Sequence, residues 1–195
     1  MQLSIAAALL AVALLPMALI AAAVRCDSRG PALYRQRRVG LGGRVFTLLK
    51  FRTMPVGAEP PGQPTWGVPS DPRATRVGRL LRISGLDELP QLFNVIAGHM
   101  NLVGPRPERP ELVDWLRRAV PGYDQRHRVR PGITGWAQLH HGPDPTLAGA
   151  RRKLGYDLEY LAHQGPLFDL GIVLRTPRAQ WRRSRVQAPP EVPSP

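Results

Sequence analysis

At 195 residues the chain has room for one compact domain and a short appendage, and 43% hydrophobic residues is too many for a disordered chain. A formal net charge of +13 predicts an anionic partner, whether nucleic acid, anionic lipid or a phosphorylated small molecule. The single cysteine, Cys26, excludes an internal disulfide and a cysteine metal cluster.

The chain opens on an uncharged run rich in Ala and Leu over residues 3–24. As a helix this run is about 33 Å long, enough to span a bilayer. A cleaved signal peptide needs a basic start, and Met1-Gln2 supplies no side-chain charge. Two readings stay open. A spanning helix would place Arg25, Arg29, Arg35, Arg37 and Arg38 in the cytoplasm by the positive-inside rule. Alternatively Pro16, which removes a helix hydrogen bond, kinks the segment back to the face it entered, leaving both ends cytoplasmic.

Residues 32–36 and 44–51 read as strands, and the glycines of 40–43 make them a hairpin. Residues 55–72 are rich in Pro and Gly and read as an exposed loop. Helices are expected over 71–82 and over 87–96, the second with Leu89, Leu92, Phe93 and Ile96 as its apolar face. Three prolines make 102–110 a rigid loop, and 111–120 is a short amphipathic helix. A basic segment over 123–130 is ended by Pro131-Gly132. Residues 147–163 are again helical and 169–175 form a short apolar stretch. From 176 an Arg-rich, then Pro-rich tail is expected to be disordered.

Asp87-Glu88 lies just before Pro90 at a helix start. Acids favour the positive end of a helix and proline suits its first turn, so local structure alone accounts for the pair. The chemical reading is that side chains about 100° apart take different tasks, one attacking phosphorus and the other holding a metal. Gly104-Pro105-Arg106-Pro107 and Arg130-Pro131-Gly132 each fix an arginine in a stiff turn. A guanidinium fork binds two phosphate oxygens, although ordinary surface arginines on turns would look the same. Lys50 and Lys153 are the only lysines beside 25 arginines, and a continuing strand would set Lys50 and Arg52 on one face. The five histidines show no metal-ligand spacing, and His140-His141 read as loop residues. No Walker-type loop or dinucleotide fingerprint is present.

Seven segments in order carry a resemblance. They are Gly30-Pro31 with Tyr-Arg-Gln-Arg-Arg-Val-Gly (34–40), Lys-Phe-Arg-Thr-Met (50–54), Asp-Pro-Arg-Ala-Thr-Arg-Val-Gly-Arg-Leu-Leu-Arg (71–82), Leu-Asp-Glu-Leu-Pro-Gln-Leu-Phe-Asn-Val (86–95), Leu-Val-Gly-Pro-Arg-Pro-Glu (102–108), Arg-Pro-Gly-Ile-Thr-Gly-Trp-Ala-Gln (130–138) and Tyr-Asp-Leu-Glu-Tyr (156–160). The ordered set resembles the bacterial sugar transferases, the monotopic polyprenyl-phosphate phosphoglycosyl transferases.

That resemblance implies an α/β fold of mostly short helices with a small β-hairpin. It implies a re-entrant membrane helix over 1–25, a catalytic domain over 26–176 and a tail over 177–195, in the family's minimal form. It implies an enzyme at the cytoplasmic face of the bacterial inner membrane, against lipid and not nucleic acid. The reaction implied is transfer of a sugar-1-phosphate from a UDP-sugar to polyprenyl (undecaprenyl) phosphate, which starts a surface glycan. By resemblance Asp87 attacks the sugar-linked phosphate and forms a phosphosugar-aspartyl enzyme, and Glu88 holds Mg²⁺. Lys50, Arg52, Arg82, Arg106, Arg130 and Asp157 are the implied substrate- and phosphate-binding residues, and Pro16 the membrane kink. The sequence departs from the family pattern at Leu15, Gly85 and His99, where Ser, Ser and Asp are usual.

Two rival classes stand beside this one. The charge suits a nucleic-acid-binding protein, but the apolar leader and only 6% aromatic residues oppose it. An inactive membrane-anchored assembly protein of a glycan pathway would not need Lys50 with an intact Asp87-Glu88.

Overall fold

A computed structural model describes residues 2–58, 71–142, 144 and 146–184. Most of the loop expected over 55–72, and the tail beyond 184, lie outside these described residues. The architecture is mixed, with seven helices and two small sheets among the described residues, and the expected α/β hairpin-and-helix class holds at that level.

Helix α1 (Gln2–Asp27) runs unbroken through Pro16. It is apolar all round, but only one stripe packs on the domain: Ala6, Leu10, Ala13, Met17, Ile20, Ala21 and Val24. Apart from the adjacent pair Ile20 and Ala21, the spacing alternates between 4 and 3, which keeps one face of a 3.6-residue helix inward. The opposite face is exposed, with Val12 at 78%, Leu15 at 70% and Leu19 at 65%.

Strands β1 (Leu33–Val39) and β2 (Val45–Phe51) pair antiparallel from Leu33 opposite Phe51 to Val39 opposite Val45. Gly42 and Gly43 take positive φ, 61° and 76°, in the 3-10 turn between them, a conformation glycine adopts without Cβ strain. Helix α2 (Arg76–Ser84) starts five residues later than expected. Residues 71–75 form turns, in which Asp71 Oδ1 accepts from Arg73 N at 3.0 Å, and Thr75 caps α2 by accepting from Gly78 N at 3.0 Å. Asp27, at the end of α1, accepts from Val77 N at 2.9 Å, so α1 helps to cap α2.

The helix expected over 87–96 is split. Residues Leu86–Glu88 form a 3-10 turn, and helix α3 (Gln91–Ile96) begins only after Pro90. Pro90 has no N–H to continue the hydrogen bonding across the break, while Gly85, with a left-handed φ of 75°, ends α2 just before the turn. Asn94 of α3 joins the hairpin, accepting from Leu49 N at 3.0 Å and donating to Thr47 O at 2.7 Å.

Two strands were not expected. Strand β3 (Asn101–Val103) replaces the start of the 102–110 loop and pairs in parallel with β4 (Gly132–Thr134). Helix α4 (Pro110–Ala119) lies within a residue of its expected bounds, and a 3-10 helix, Tyr123–Arg128, fills the basic segment. Helix α5 (Trp136–His140) was also unexpected. His140 ends it and is not a loop residue, whereas His141 lies just beyond.

Helix α6 (Leu147–His163) has its expected bounds and is capped by Thr146. Helix α7 (Pro166–Ser184) corrects the reading of the C-terminal region, because it runs through Pro177 well past the expected start of the tail. It stays ordered because Ile172 is buried in the main core beside Leu92, Met100, Val103 and Tyr160, and because Gln180 packs on Gly85.

Candidate active site

The site is built where β2, the turn after α2 and the loop after β3 meet. Lys50 comes from β2, Asp87 and Glu88 from the 3-10 turn, and Arg106 from the loop. Glu88 Oε1 lies 2.8 Å from Lys50 Nζ and 2.8 Å from Arg106 Nη2, and a longer Arg106 Nη1 contact of 3.5 Å reaches Oε2. Successive side chains on a 3-10 turn diverge by roughly 120°, so Asp87 points elsewhere. It is half-buried, and among the described residues its carboxylate has no hydrogen-bond donor.

The electrostatics separate the two acids. Burial raises the Asp87 carboxyl to about 6, and the adjacent Glu88 charge pushes the same way, while Lys50, Arg106 and Arg82 pull it back. Burial also opposes ionisation of Glu88, but Arg106 and Lys50 outweigh it and hold that carboxyl far below its usual range. Burial lowers the Lys50 ammonium, against the pull of Glu88. Arg106 is held more firmly charged, chiefly by Glu88. A permanent anion therefore adjoins a carboxyl that changes state near neutrality. A divergence of this kind marks groups with distinct chemical roles.

The Arg106 loop is fixed from several sides. Gly104 N donates to Thr134 O at 2.9 Å and Gly132 N to Pro105 O at 3.0 Å, tying the loop to β4. Val39 N donates to Glu108 O at 2.9 Å and Arg38 Nη1 to Pro107 O at 3.0 Å, tying it to β1. Arg126 Nη2 donates to Arg106 O at 2.8 Å.

Lys50, Arg106, Asp87 and Glu88 are thus brought together. Arg82 sits in the last turn of α2, where its charge acts on Asp87 and its carbonyl accepts from Gln180 Nε2 at 3.2 Å. Arg52 is turned away. It is buried at the end of α1, donating to the carbonyls of Arg29 at 2.6 Å, Ser28 at 2.8 Å and Gly30 at 3.3 Å. Arg130 is exposed and donates to Gly98 O at 2.9 Å. Asp157 is only 2% exposed, and Arg126 donates to its Oδ2 from Nε at 2.8 Å.

The three departures are accommodated. Gly85 takes the left-handed turn, Leu15 faces outward from α1, and the His99 ring stacks on Phe46 at 5.8 Å between centroids. Sequence reasoning missed Arg126 and Asn94. Arg126 is one arginine among 25, and its one local signal was Tyr123, a turn earlier.

The chemistry of the donors bears on a metal. Among the described residues no three His, Cys, Asp or Glu side chains converge. Asp87 and the weakly engaged Glu88 Oε2 leave two carboxylates for a cation. One or two carboxylates completed by substrate phosphates are the usual provision for Mg²⁺, so the residues fit it.

Comparison with known proteins gives the family. The family model described as "Bacterial sugar transferase" matches residues 1–183. The chain is 45% identical over 177 residues to a UDP-glucose:undecaprenyl-phosphate glucose-1-phosphate transferase of Caulobacter vibrioides, covering 88% of this chain and 65% of that one. It is 43% identical over 159 residues to the Escherichia coli (strain K12) protein of the same name, covering 80% and 34%. It is 42% identical over 176 residues to a UDP-N-acetylgalactosamine-undecaprenyl-phosphate N-acetylgalactosaminephosphotransferase of Aeromonas hydrophila, covering 89% and 41%. The chain spans from about a third to just under two thirds of the length of these relatives.

Proposed function

Because the chain belongs to the bacterial sugar transferase family, we propose that it transfers a sugar-1-phosphate from a UDP-sugar to undecaprenyl phosphate, releasing UMP. The observation that carries this reading is the pairing of a permanently charged Glu88, clamped by Lys50 and Arg106, with an Asp87 carboxyl that no donor among the described residues holds. The names of the relatives in Caulobacter vibrioides, Escherichia coli and Aeromonas hydrophila support the donor and acceptor classes.

In the first step an Asp87 oxygen attacks the sugar-linked phosphorus. A P–O bond to Asp87 forms, the P–O bond to UMP breaks, and UMP leaves with the electron pair. In the second step an oxygen of the lipid phosphate attacks the same phosphorus, giving a polyprenyl diphosphate sugar and restoring the Asp87 carboxylate. Carboxylate nucleophiles that form acyl phosphates are established chemistry. Lys50 and Arg106 lie beside the attacking group and supply positive charge where the phosphates must sit, with Arg82 close by. Asp87 and Glu88 would hold Mg²⁺, which supplies charge neutralisation to the diphosphate.

The membrane reading is monotopic, on the cytoplasmic face. A helix crossing the bilayer alone would leave its N-terminal half without protein neighbours. Ala6, Leu10 and Ala13 instead pack in the core with Leu48 and Leu92, Ala6 lying about 27 Å along α1 from Val24. Besides the outward face of α1, Leu80, Ile83, Leu86, Phe93 and Ile96 are exposed on and beside the helices that α1 packs against, apolar side chains suited to lipid.

A panel of UDP-sugars with undecaprenyl phosphate, assayed for UMP with Mg²⁺ and with EDTA, tests the reading. UMP release from at least one donor, lost in EDTA, is the expected result. No UMP from any donor would overturn the activity, and full turnover without divalent ions would overturn the metal role.

A further inference from the structure

We propose that Arg126 and Asp157 are positioning residues for the transfer, setting Arg106 on Glu88 without touching the substrate. The proposal rests on the reaction given above, in which Arg106 supplies charge beside Asp87.

Arg126 is 5% exposed and Asp157 is 2% exposed, so neither presents a surface to a nucleotide-sugar. Arg126 spends its whole fork internally. Nε and Nη2 each lie 2.8 Å from Asp157 Oδ2, Nη1 donates to Tyr123 Oη at 2.9 Å, and Nη2 donates to Arg106 O at 2.8 Å. A chain of contacts therefore runs from α6 through Asp157, Arg126 and the Arg106 carbonyl to the Arg106 guanidinium on Glu88.

The loop has need of such a handle. Pro105 and Pro107 flank Arg106, and neither has an N–H with which to bond its surroundings. The stretch is therefore gripped through its carbonyls, and that of Arg106 is the one held by a side chain from the Tyr123–Arg128 segment. A buried ion pair is a poor way to gain stability, because apolar residues of similar size generally serve as well. What it adds here is a charged donor aimed at one carbonyl. Asp157 keeps the Arg126 fork in plane, and Tyr123 fixes its other end.

The test uses the full chain in detergent or nanodiscs, with Asp157→Asn, Arg126→Lys and, as a milder probe, Tyr123→Phe. Melting temperature and the kcat and KM for UMP release are measured. Asp157→Asn and Arg126→Lys should each lower kcat at least 10-fold with KM changed less, and Tyr123→Phe should do so more mildly. A lower melting temperature with kcat and KM both unchanged would make the pair purely structural. A KM raised 10-fold with kcat unchanged would make Asp157 a substrate ligand. Either result overturns the proposal. Should a charge variant fail to fold, Tyr123→Phe carries the same readout. Should the wild type release no UMP, the reaction itself is wrong. A crystal structure of Asp157→Asn then still decides, since the proposal predicts loss of the Arg106–Glu88 contact and its retention overturns it.

Discussion

The Lys50 ammonium lies 2.8 Å from Glu88 Oε1, although 38 residues separate the two in the chain. One comes from a hairpin strand and the other from a turn opened by a left-handed glycine, so the contact reports how firmly the two elements are docked. Removing the Glu88 charge leaves two cations facing each other. Glu88→Gln should lower stability by about 1.5–3 kcal/mol, the usual worth of charge-assisted hydrogen bonds. Lys50→Met on that background should cost less than it does alone, with a coupling of about 0.5–3 kcal/mol. Urea unfolding of the two single variants and the double variant measures this, and strict additivity would contradict the clamp.

The two acids should act on stability in different pH windows. Asp87 titrates at about 6 in the fold against 3.8 in the open chain, so the folded protein binds the extra proton between those values. Its contribution therefore weakens stability as pH rises from about 4 to 6, and is flat above. Glu88 is depressed below its usual 4.5, so its contribution is present above that value and is lost as pH falls below it. Asp87→Asn should remove the slope between 4 and 6 and leave the acid loss. Melting curves across pH 3 to 8 check both signs.

In the proposed reaction Asp87 must be ionised to attack. The rate of UMP release should therefore rise tenfold per pH unit below about 6 and level off above it. A rate already level at pH 4.5 would show that another group attacks.

Much of this site was legible in the residues themselves. The hairpin was marked by Gly40, Gly42 and Gly43 between two stretches that read as strands, and α6 by its periodicity after Thr146. Asp87, Glu88, Lys50 and Arg106 stood out as chemistry in ordered motifs. What stayed hidden depends on contacts between distant segments. Strands β3 and β4 are three residues long and pair in parallel across an intervening helix, so neither has an alternation to read. Arg52 was placed with Lys50 by strand geometry, but β2 ends at Phe51 and releases Arg52 to the carbonyls that close α1. Helix α7 passes Pro177 because its packing on β4 and α2 offsets the missing hydrogen bond.

That packing gives a truncation test. A chain ending at Arg175 loses the Thr176 Oγ1 contact to Thr134 Oγ1, 2.7 Å, and the Gln180 bond to Arg82 O, 3.2 Å. It should bind membranes but lose most UMP release, whereas Gln180→Ala alone should cause a partial loss. Full activity of the shorter chain would remove α7 from the account of the turn.

Close backbone approach holds the Arg106 loop on β4. A methyl group on Gly132 would fall on the Gly104 nitrogen, and one on Gly135 on the Gly104 carbonyl. Gly132→Ala should cost about 1–3 kcal/mol through overpacking and reduce activity further by displacing Arg106. Gly142→Ala, where a methyl group meets open space, is the control and should change neither melting temperature nor rate.

The central claim is that Asp87 carries the phosphosugar. Mixing purified protein with UDP-sugar and no lipid acceptor, then measuring both UMP and intact mass, addresses it directly. The account predicts about one equivalent of UMP per active site and a sugar-phosphate adduct that localises to Asp87, with neither from Asp87→Asn. An adduct on the Asp87→Asn protein, or UMP that appears only once undecaprenyl phosphate is added, would contradict it.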